Sequence, residues 1–284
     1  MKYIIIFITA FLTSVILISC SDINEDITKP ELPGYHEKGI NNPISDVFHG
    51  KIIRDNNWSM KNCAQCHAGD YSGGVVQASC LTCHTQPNGP EACNTCHGDF
   101  ADPSRIAPPR ALNESIDKNY PGVGAHVSHL YNNKIGADIS CSNCHIVPSG
   151  LYSEGHLGDD NKAEINFGAL AIAQGVSPNY NFQNNTCSDT YCHGNFVFYR
   201  DSSNSPWIYT APTMRGNNFL VKWNQFDPSG SQAQCGSCHG IPPLGHQPYT
   251  ITECANCHTG IVDNLGNISD RSKHINGVIN VFGN

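Results

Sequence analysis

The sequence predicts a fold that is mostly coil, with short helices and minor β structure, and without a large hydrophobic core of its own. Three observations lead to this prediction. A cysteine pair followed directly by histidine occurs seven times in the 284 residues. The chain has 26 glycines and 17 prolines, and only 14% of its residues are charged. Once residues 1–19 are set aside, roughly 38 residues accompany each motif, whereas a domain with its own apolar core has about 100 or more.

The repeated motif is that of covalent c-type haem attachment. Six copies have the spacing CxxCH, and the fifth copy along the chain is CxxxxCH. The two thiols form thioethers to the porphyrin, and the adjacent imidazole is the proximal ligand of the iron. The predicted attachment residues are Cys63, Cys66, Cys80, Cys83, Cys93, Cys96, Cys141, Cys144, Cys187, Cys192, Cys235, Cys238, Cys254 and Cys257. The predicted proximal ligands are His67, His84, His97, His145, His193, His239 and His258. We therefore expect seven covalent haems (heme c), which replace much of the core.

Paired cysteines have two other common uses. A CxxC pair alone also occurs in zinc knuckles and in redox disulfides. Histidine directly after every pair favours haem over both. The CxxxxCH motif is the weaker case, because its four-residue loop is equally compatible with a Cys187–Cys192 disulfide beside an unrelated His193. From the sequence, that alternative stays open.

The histidines outside the motifs equal the motifs in number. An iron that only carries electrons favours a second strong-field ligand on its other face. Fourteen histidines can supply two imidazoles to each of seven irons, and such ligation implies low reduction potentials. The predicted distal ligands are His36, His49, His126, His129, His156, His246 and His274.

The N-terminal segment predicts export and lipid attachment. Residues 1–19 have an apolar stretch that ends in Leu17-Ile18-Ser19, which is typical of a lipoprotein signal peptide. Cys20 is the one cysteine outside the motifs, and we expect it to be lipidated; an ordinary secretory signal with a stray thiol is the alternative. Residues 20–34 are predicted to be a lipidated flexible tether. We expect an outer-membrane lipoprotein on the periplasmic or the cell-surface face.

The motifs divide the rest of the chain into two regions around a proline-containing segment. Residues 35–111 are predicted to be a three-haem N-terminal region, and residues 112–284 a four-haem C-terminal region. The first region has two histidines outside its motifs and the second has five. Ligation of every iron by two histidines therefore requires one donor from the second region to serve a haem of the first.

His126 and His129 are the predicted donors for that crossing. They lie three residues apart, so on a helical turn they project from one face and cannot bind opposite sides of one iron. We expect each to bind a different haem, and one of them to reach back to the third haem or its neighbour.

The longest stretch without a haem motif, residues 194–234, is rich in aromatic side chains. The alternating run from Asn218 to Trp223 predicts a strand or hairpin. We expect these aromatic side chains to pack on haem faces and against each other; a surface for a docking partner is the alternative.

The net charge of −8 limits the partners. Haem propionates add further negative charge, which argues against nucleic acid or an anionic membrane surface as a partner. Basic docking surfaces on other redox proteins, or an oxidised metal acceptor, are compatible with this charge.

The chain resembles the multihaem c-type cytochromes, especially the lipoproteins of metal-reducing and related bacteria that mix CxxCH with CxxxxCH. The resemblance covers nearly all of the chain from about residue 35 onward and implies a haem array with electron transfer across or outside the outer membrane. The resemblance does not imply a particular redox partner. We expect other redox proteins or cytochromes, with an outer-membrane conduit or an extracellular metal acceptor as further candidates. The matching residues are Phe48-His49-Gly50, Cys66-His67-Ala68-Gly69-Asp70-Tyr71, Gly122 to Leu130, Cys192-His193-Gly194, Cys238-His239-Gly240-Ile241-Pro242-Pro243 and His274-Ile275-Asn276-Gly277.

Two other functions are compatible with the same motifs. A multihaem reductase of a small oxyanion or nitrogen species would need an iron with an open face, often marked by an unusual proximal ligand. Every motif here ends in histidine and the other histidines suffice for all irons, which favours an electron carrier over an enzyme. A structural subunit of a haem filament or of a conduit, formed by self-assembly or with partners, is the third alternative.

Overall fold

The computed structural model of the chain describes residues 35–102, 104–106, 110–131, 133–157, 162–225 and 231–282. The predicted signal peptide, the tether and Cys20 lie outside these residues. The chain forms two compact units, Met1–Ser59 and Met60–Asn284. All seven haem motifs lie in the second unit, and the predicted boundary between residues 111 and 112 stays a prediction.

The helices are short throughout the described residues. The α-helices are α1 (His49–Asp55), α2 (Lys61–His67), α3 (Cys93–Cys96), α4 (His126–Leu130) and α5 (Cys254–Cys257). None of the described helices is long and apolar enough to span a bilayer. Single 3₁₀ turns account for much of the remaining helical structure: Gly74–Val76, Cys80–Thr82, Gly89–Glu91, Cys141–Asn143, Ala173–Gly175, Tyr191–His193, Arg200–Ser202, Pro206–Ile208, Ser231–Ala233, Ile251–Glu253 and Arg271–Lys273.

The described residues form two small antiparallel sheets. The strands are β1 (Asn179–Asn181), β2 (Thr186–Ser188), β3 (Val197–Tyr199), β4 (Thr213–Arg215) and β5 (Val221–Lys222). One sheet has the order β1-β2-β5 and the other pairs β3 with β4. Strand β5 lies within the alternating run that ends at Trp223, so the strand predicted there is confirmed.

Among the described residues, protein side chains form a small hydrophobic core. One cluster of buried side chains is Ile208, Tyr209 and Met214, with Phe198 packed against it. Several large apolar side chains are exposed instead, as at Leu244, which is 73% accessible. Since burial of apolar surface is the main stabilising contribution in ordinary domains, this chain depends on other bonds, and the predicted fold class is confirmed.

Candidate haem sites

Most CxxCH motifs are built as one helical turn. In an α-helix each N–H donates to the carbonyl four residues earlier, and four residues separate the first cysteine from the histidine of CxxCH. The backbone N–H of His145 donates to the Cys141 carbonyl at 2.8 Å, and that of His258 to Cys254 at 2.9 Å. The motifs at His84 and His97 close in the same way, both at 3.0 Å. The local turn therefore holds both thiols and the imidazole of one motif close together.

The CxxxxCH motif has a different local structure. Cys187 lies on strand β2, opposite Tyr180 of β1 and Val221 of β5. Cys192 and His193 lie in the 3₁₀ turn Tyr191–His193, where the His193 N–H donates to the Thr190 carbonyl at 3.2 Å. The two additional residues thus carry the chain from a strand into a turn.

In the described residues no disulfide joins any two motif cysteines, and this includes Cys187 and Cys192. Burial, and after it the neighbouring Cys144, raises the pKa of both thiols to about 12. Among the described residues, no group of three or more histidine, cysteine, aspartate or glutamate side chains is arranged to hold a metal ion by itself.

The histidines present one ring nitrogen for metal binding. In at least ten of the described histidines, the ring nitrogen Nδ1 lies within hydrogen-bond distance of a main-chain carbonyl. Because a carbonyl only accepts, Nδ1 carries the proton and Nε2 keeps the lone pair that a metal requires. These residues are His49, His67, His126, His129, His145, His156, His239, His246, His258 and His274.

The described residues include four pairs of imidazole rings that face each other, and each pair joins one motif histidine to one histidine outside the motifs. The ring centres are separated by 6.1 to 6.3 Å in all four pairs. The angle between ring planes is small in two pairs and steep in the other two. The pairs are His97–His156 (22°), His145–His126 (25°), His193–His129 (66°) and His239–His274 (73°).

This separation fits an iron held between two imidazoles. With a metal–nitrogen bond of about 2.0 Å and ring bonds of about 1.3 Å, two axial imidazoles on one iron have ring centres about 6.2 Å apart. The residues present therefore match a six-coordinate haem in both their donor atoms and their spacing. Together with the two cysteines of the same motif, each pair provides the side chains that a covalently attached haem requires.

His126 and His129 lie on α4 and face different motif histidines, as their spacing predicts. The sequence predicts that one of them reaches back to the third haem or its neighbour, but in the structure each faces a motif histidine of the second region. His126 faces His145 of the fourth motif and His129 faces His193 of the fifth. Their rings are directed there by Nδ1–H bonds of 2.9 Å to the carbonyls of Val123 and Ala125.

The histidine that faces the third motif is His156, which follows the fourth motif in the chain. Its Nδ1–H donates to the Leu151 carbonyl at 2.9 Å, and its ring stacks opposite His97. One donor from the second region does reach the first region, as the count of histidines requires. Its identity depends on the path of the loop after His145 and not on nearness in sequence.

Burial favours the neutral form of the paired histidines. Burial, together with the neighbouring histidines, lowers the pKa of His126 and that of His193 to about 4. Burial also lowers the pKa of His97 and His129. Neutral imidazole is the form that binds metal, so these side chains are ready to bind at neutral pH.

The other predicted ligands are placed less completely. Burial lowers the pKa of His258, and the nearby His246 is among the groups that lower it further, so His246 lies close to the seventh motif. His36 and His49 lie in the unit Met1–Ser59, where their rings contact Tyr35 and Phe48. Their role as distal ligands stays a prediction.

Successive motifs lie near one another. The 3₁₀ turn Cys80–Thr82 packs against Gly89–Glu91, just before the third motif. The other neighbouring motifs interact electrostatically through Cys63 and Cys80, His97 and His145, Cys144 and Cys187, Cys192 and Cys238, and His239 and His258.

The aromatic stretch supplies a residue that the sequence did not single out. Trp223 contacts the rings of both His126 and His129. Elsewhere in the stretch, Phe196 packs on Phe198 and lies near the His239 ring. These contacts agree with aromatic side chains that pack on each other and around the haem ligands. Phe226 lies outside the described residues.

Comparison with known proteins gives one match. A family model described as the Geobacter CxxxxCH...CXXCH motif matches residues 186–239, which contain the fifth and sixth motifs. No curated protein and no solved structure matches the chain. The match supports a multihaem c-type cytochrome-like family, with covalently bound haem c and electron transfer as the activity that these motifs indicate.

Proposed function

We propose that this chain carries seven covalent c-type haems, each ligated by two histidines, and transfers electrons along them. The observation that carries the proposal is the set of four imidazole pairs at the spacing of two axial ligands. Each pair joins one histidine from a haem motif to one from outside the motifs, which is the arrangement that two ligands of one iron require.

The pairs suggest specific distal ligands. His156 serves the third motif, His126 the fourth, His129 the fifth and His274 the sixth. Nearness to His258 favours His246 for the seventh. By count alone, the predicted ligands His36 and His49 are left for the motifs that end at His67 and His84.

Two imidazoles on each iron favour electron transfer over catalysis. When bound, haem supplies an iron that takes up and releases one electron. Two histidines would hold each iron, so a small oxyanion or nitrogen species would have no open position to bind. Main-chain carbonyls accept from Nδ1 of most of these imidazoles, which would keep the ligand geometry similar in both oxidation states.

The nearness of successive motifs suggests a series of haems with ends at the first and seventh motifs. Electrons would enter and leave near these ends, where partners dock. We propose other redox proteins or cytochromes, an outer-membrane conduit or an extracellular metal acceptor as those partners. The net charge of −8 favours a basic docking surface on a protein partner.

The proposed location is the outer membrane, with the chain anchored through lipid on Cys20 and facing the periplasm or the cell exterior. Membrane fractionation of the wild-type protein and of Cys20→Ala tests the anchor. We expect the variant to lose the lipid and to leave the membrane fraction while it keeps its haems. Wild-type protein found wholly in the soluble fraction would contradict the anchor.

Intact mass and electron paramagnetic resonance (EPR) of the mature protein test the proposed function together. We expect a mass with seven haems, low-spin ferric signals only, and no carbon monoxide binding by the reduced protein at neutral pH. A strong high-spin signal that changes when nitrite or another small ligand is added would favour the reductase alternative. A mass with six haems and a Cys187–Cys192 disulfide would remove the fifth site.

A further inference from the structure

Trp223 lies against two histidines that face different haem motifs. Its ring centre is 4.7 Å from that of His126, with the two planes nearly perpendicular at 88°. It is 5.7 Å from the ring centre of His129, with the planes at 31°. One indole therefore contacts the proposed distal ligands of both the fourth and the fifth haem.

A single turn before α4 holds all three rings. The indole Nε1–H of Trp223 donates to the Pro121 carbonyl at 2.7 Å. The next carbonyls of the same turn accept from the two histidines, Val123 from His126 and Ala125 from His129. A shift of the indole would therefore disturb the turn from which both imidazoles are held.

Gly124 makes room for the indole in this turn. Its φ is +45°, a conformation that glycine adopts readily and that other residues rarely adopt. A Cβ atom at this position would lie 2.1 Å from Nε1 of Trp223, well inside van der Waals contact. The turn and the indole thus fit each other closely only with glycine at position 124.

The backbone of Trp223 is also tied to the fifth motif. Its N–H donates to the Asn185 carbonyl at 2.7 Å. The preceding strand β5 pairs with β2, where Val221 lies opposite Cys187. Trp223 is therefore fixed at one end to the strand that bears a haem attachment cysteine, and at the other to the turn before α4.

We infer that Trp223 is a positioning residue that sets the ring planes of His126 and His129 together, and so links the axial geometry of the fourth and fifth haems. The inference rests on the proposed function.

In a low-spin haem, two iron d-orbitals overlap with the π systems of the axial imidazoles. The angle between the two imidazole planes determines how far apart in energy these two orbitals lie. Near-parallel planes act on the same orbital and split the pair strongly. Near-perpendicular planes act on one orbital each and leave the pair nearly equal in energy.

EPR of the ferric, fully loaded protein tests the inference through this splitting. Trp223→Leu removes the ring, and Trp223→Phe keeps an aromatic ring but loses the bond to Pro121. Trp207→Leu is the matched control, since the ring of Trp207 packs near Phe282. We expect Trp223→Leu to shift the g-values of two haem equivalents, one with near-parallel and one with steep ligand planes. Trp223→Phe should shift the same two signals by less, and Trp207→Leu should leave them unchanged.

Two results would overturn the inference: a Trp223→Leu spectrum equal to that of the wild type, or the same shifts in Trp207→Leu. If Trp223→Leu does not mature with its full set of haems, Gly124→Ala replaces it, because it keeps the tryptophan but displaces the indole. The same two signals should then shift, and an unchanged spectrum again overturns the inference. Failure of the proposed function would be seen separately, as wild-type protein without low-spin signals.

Discussion

The fourth and fifth motifs reach the same separation between facing imidazole rings by different local structures. The fourth is CxxCH, closed by one helical turn, and the Nδ1–H of His145 donates to the Glu164 carbonyl at 2.8 Å. The fifth is CxxxxCH, spread over a strand and a 3₁₀ turn, and the buried Nδ1 of His193 has no hydrogen-bond partner among the described residues.

Both motifs nevertheless face a histidine of the same short helix, α4, with ring centres 6.2 Å apart. The comparison teaches that the position of a motif histidine does not require the CxxCH turn. At the fourth motif the backbone turn and a hydrogen bond fix the imidazole. At the fifth, packing of the β sheet and the buried surroundings fix it, and its plane is steeper to that of its partner.

Removal of the attachment cysteines should have the largest effect on this pair of sites. We expect Cys187→Ala with Cys192→Ala to lose one covalent haem from the intact mass, because no thiol is left to form a thioether. Cys141→Ala with Cys144→Ala is the matched variant at the CxxCH motif and should lose one as well. An unchanged mass in the first variant alone would mean that the CxxxxCH motif holds no covalent haem.

Removal of the distal histidines should change spin state without loss of haem. We expect His126→Ala and His129→Ala each to convert one haem to high spin, and the double variant to convert two, because each iron loses one strong-field ligand. EPR and carbon monoxide binding measure this change. Ser128→Ala, at an exposed position of the same helix, is the control and should keep all signals low-spin. Conversion of only one haem in the double variant would contradict the separate pairings.

His156→Ala extends the comparison to the third motif. Since the His156 ring stacks opposite His97 at 6.1 Å, we expect the haem at Cys93 and Cys96 to become high-spin. The ring planes of His97 and His156 are 22° apart, so the wild-type signal of this haem is one that near-parallel ligand planes give. His156→Ala should remove one haem equivalent from the EPR signals of this kind. If signals from steeply inclined ligand planes lose intensity instead, His156 serves a different motif.

The ring planes predict two kinds of low-spin signal in the wild-type protein. Pairs at 22° and 25° should give ordinary rhombic spectra, whereas pairs at 66° and 73° should give spectra with one very large g-value. The fourth and fifth haems thus fall in different classes. A spectrum with one class only would show that their ligand planes do not differ as the structure has them.

The smallest expected effect is a difference in reduction potential between these two sites. A hydrogen bond from Nδ1–H to a carbonyl makes imidazole a stronger electron donor and stabilises the ferric iron. His145 has such a bond and His193 has none among the described residues. A net contribution of about 0.5 to 1.5 kcal/mol to a one-electron couple corresponds to a potential higher by roughly 20 to 60 mV at the fifth haem.

Potentiometric titration of the two double-cysteine variants measures that difference. Each variant lacks one haem, so the midpoint that disappears relative to the wild type belongs to the missing site. The midpoint lost with Cys187 and Cys192 should be the higher of the two. Equal midpoints, or the reverse order, would contradict a role for the Nδ1 hydrogen bond.

The sequence was sufficient for features that depend on chemistry between near neighbours in the chain. The CxxCH spacing spans one helical turn, so the motif itself determines how thiols and imidazole come together. Low charge, many glycines and prolines, and few residues per motif predicted the short helices and the small core. The spacing of His126 and His129 predicted that they would serve two different partners.

Only the tertiary structure decided which histidines face each other. His156 reaches His97 over 59 positions of sequence, past the whole fourth motif, because carbonyls of the loop near Leu151 hold its ring there. Trp223 meets His126 and His129 because strand β5 pairs with β2 and its indole bonds to Pro121. Such contacts depend on where distant loops cross, and no local spacing encodes that. The residue types that can bind haem are therefore visible in the sequence, whereas their pairing follows from the fold.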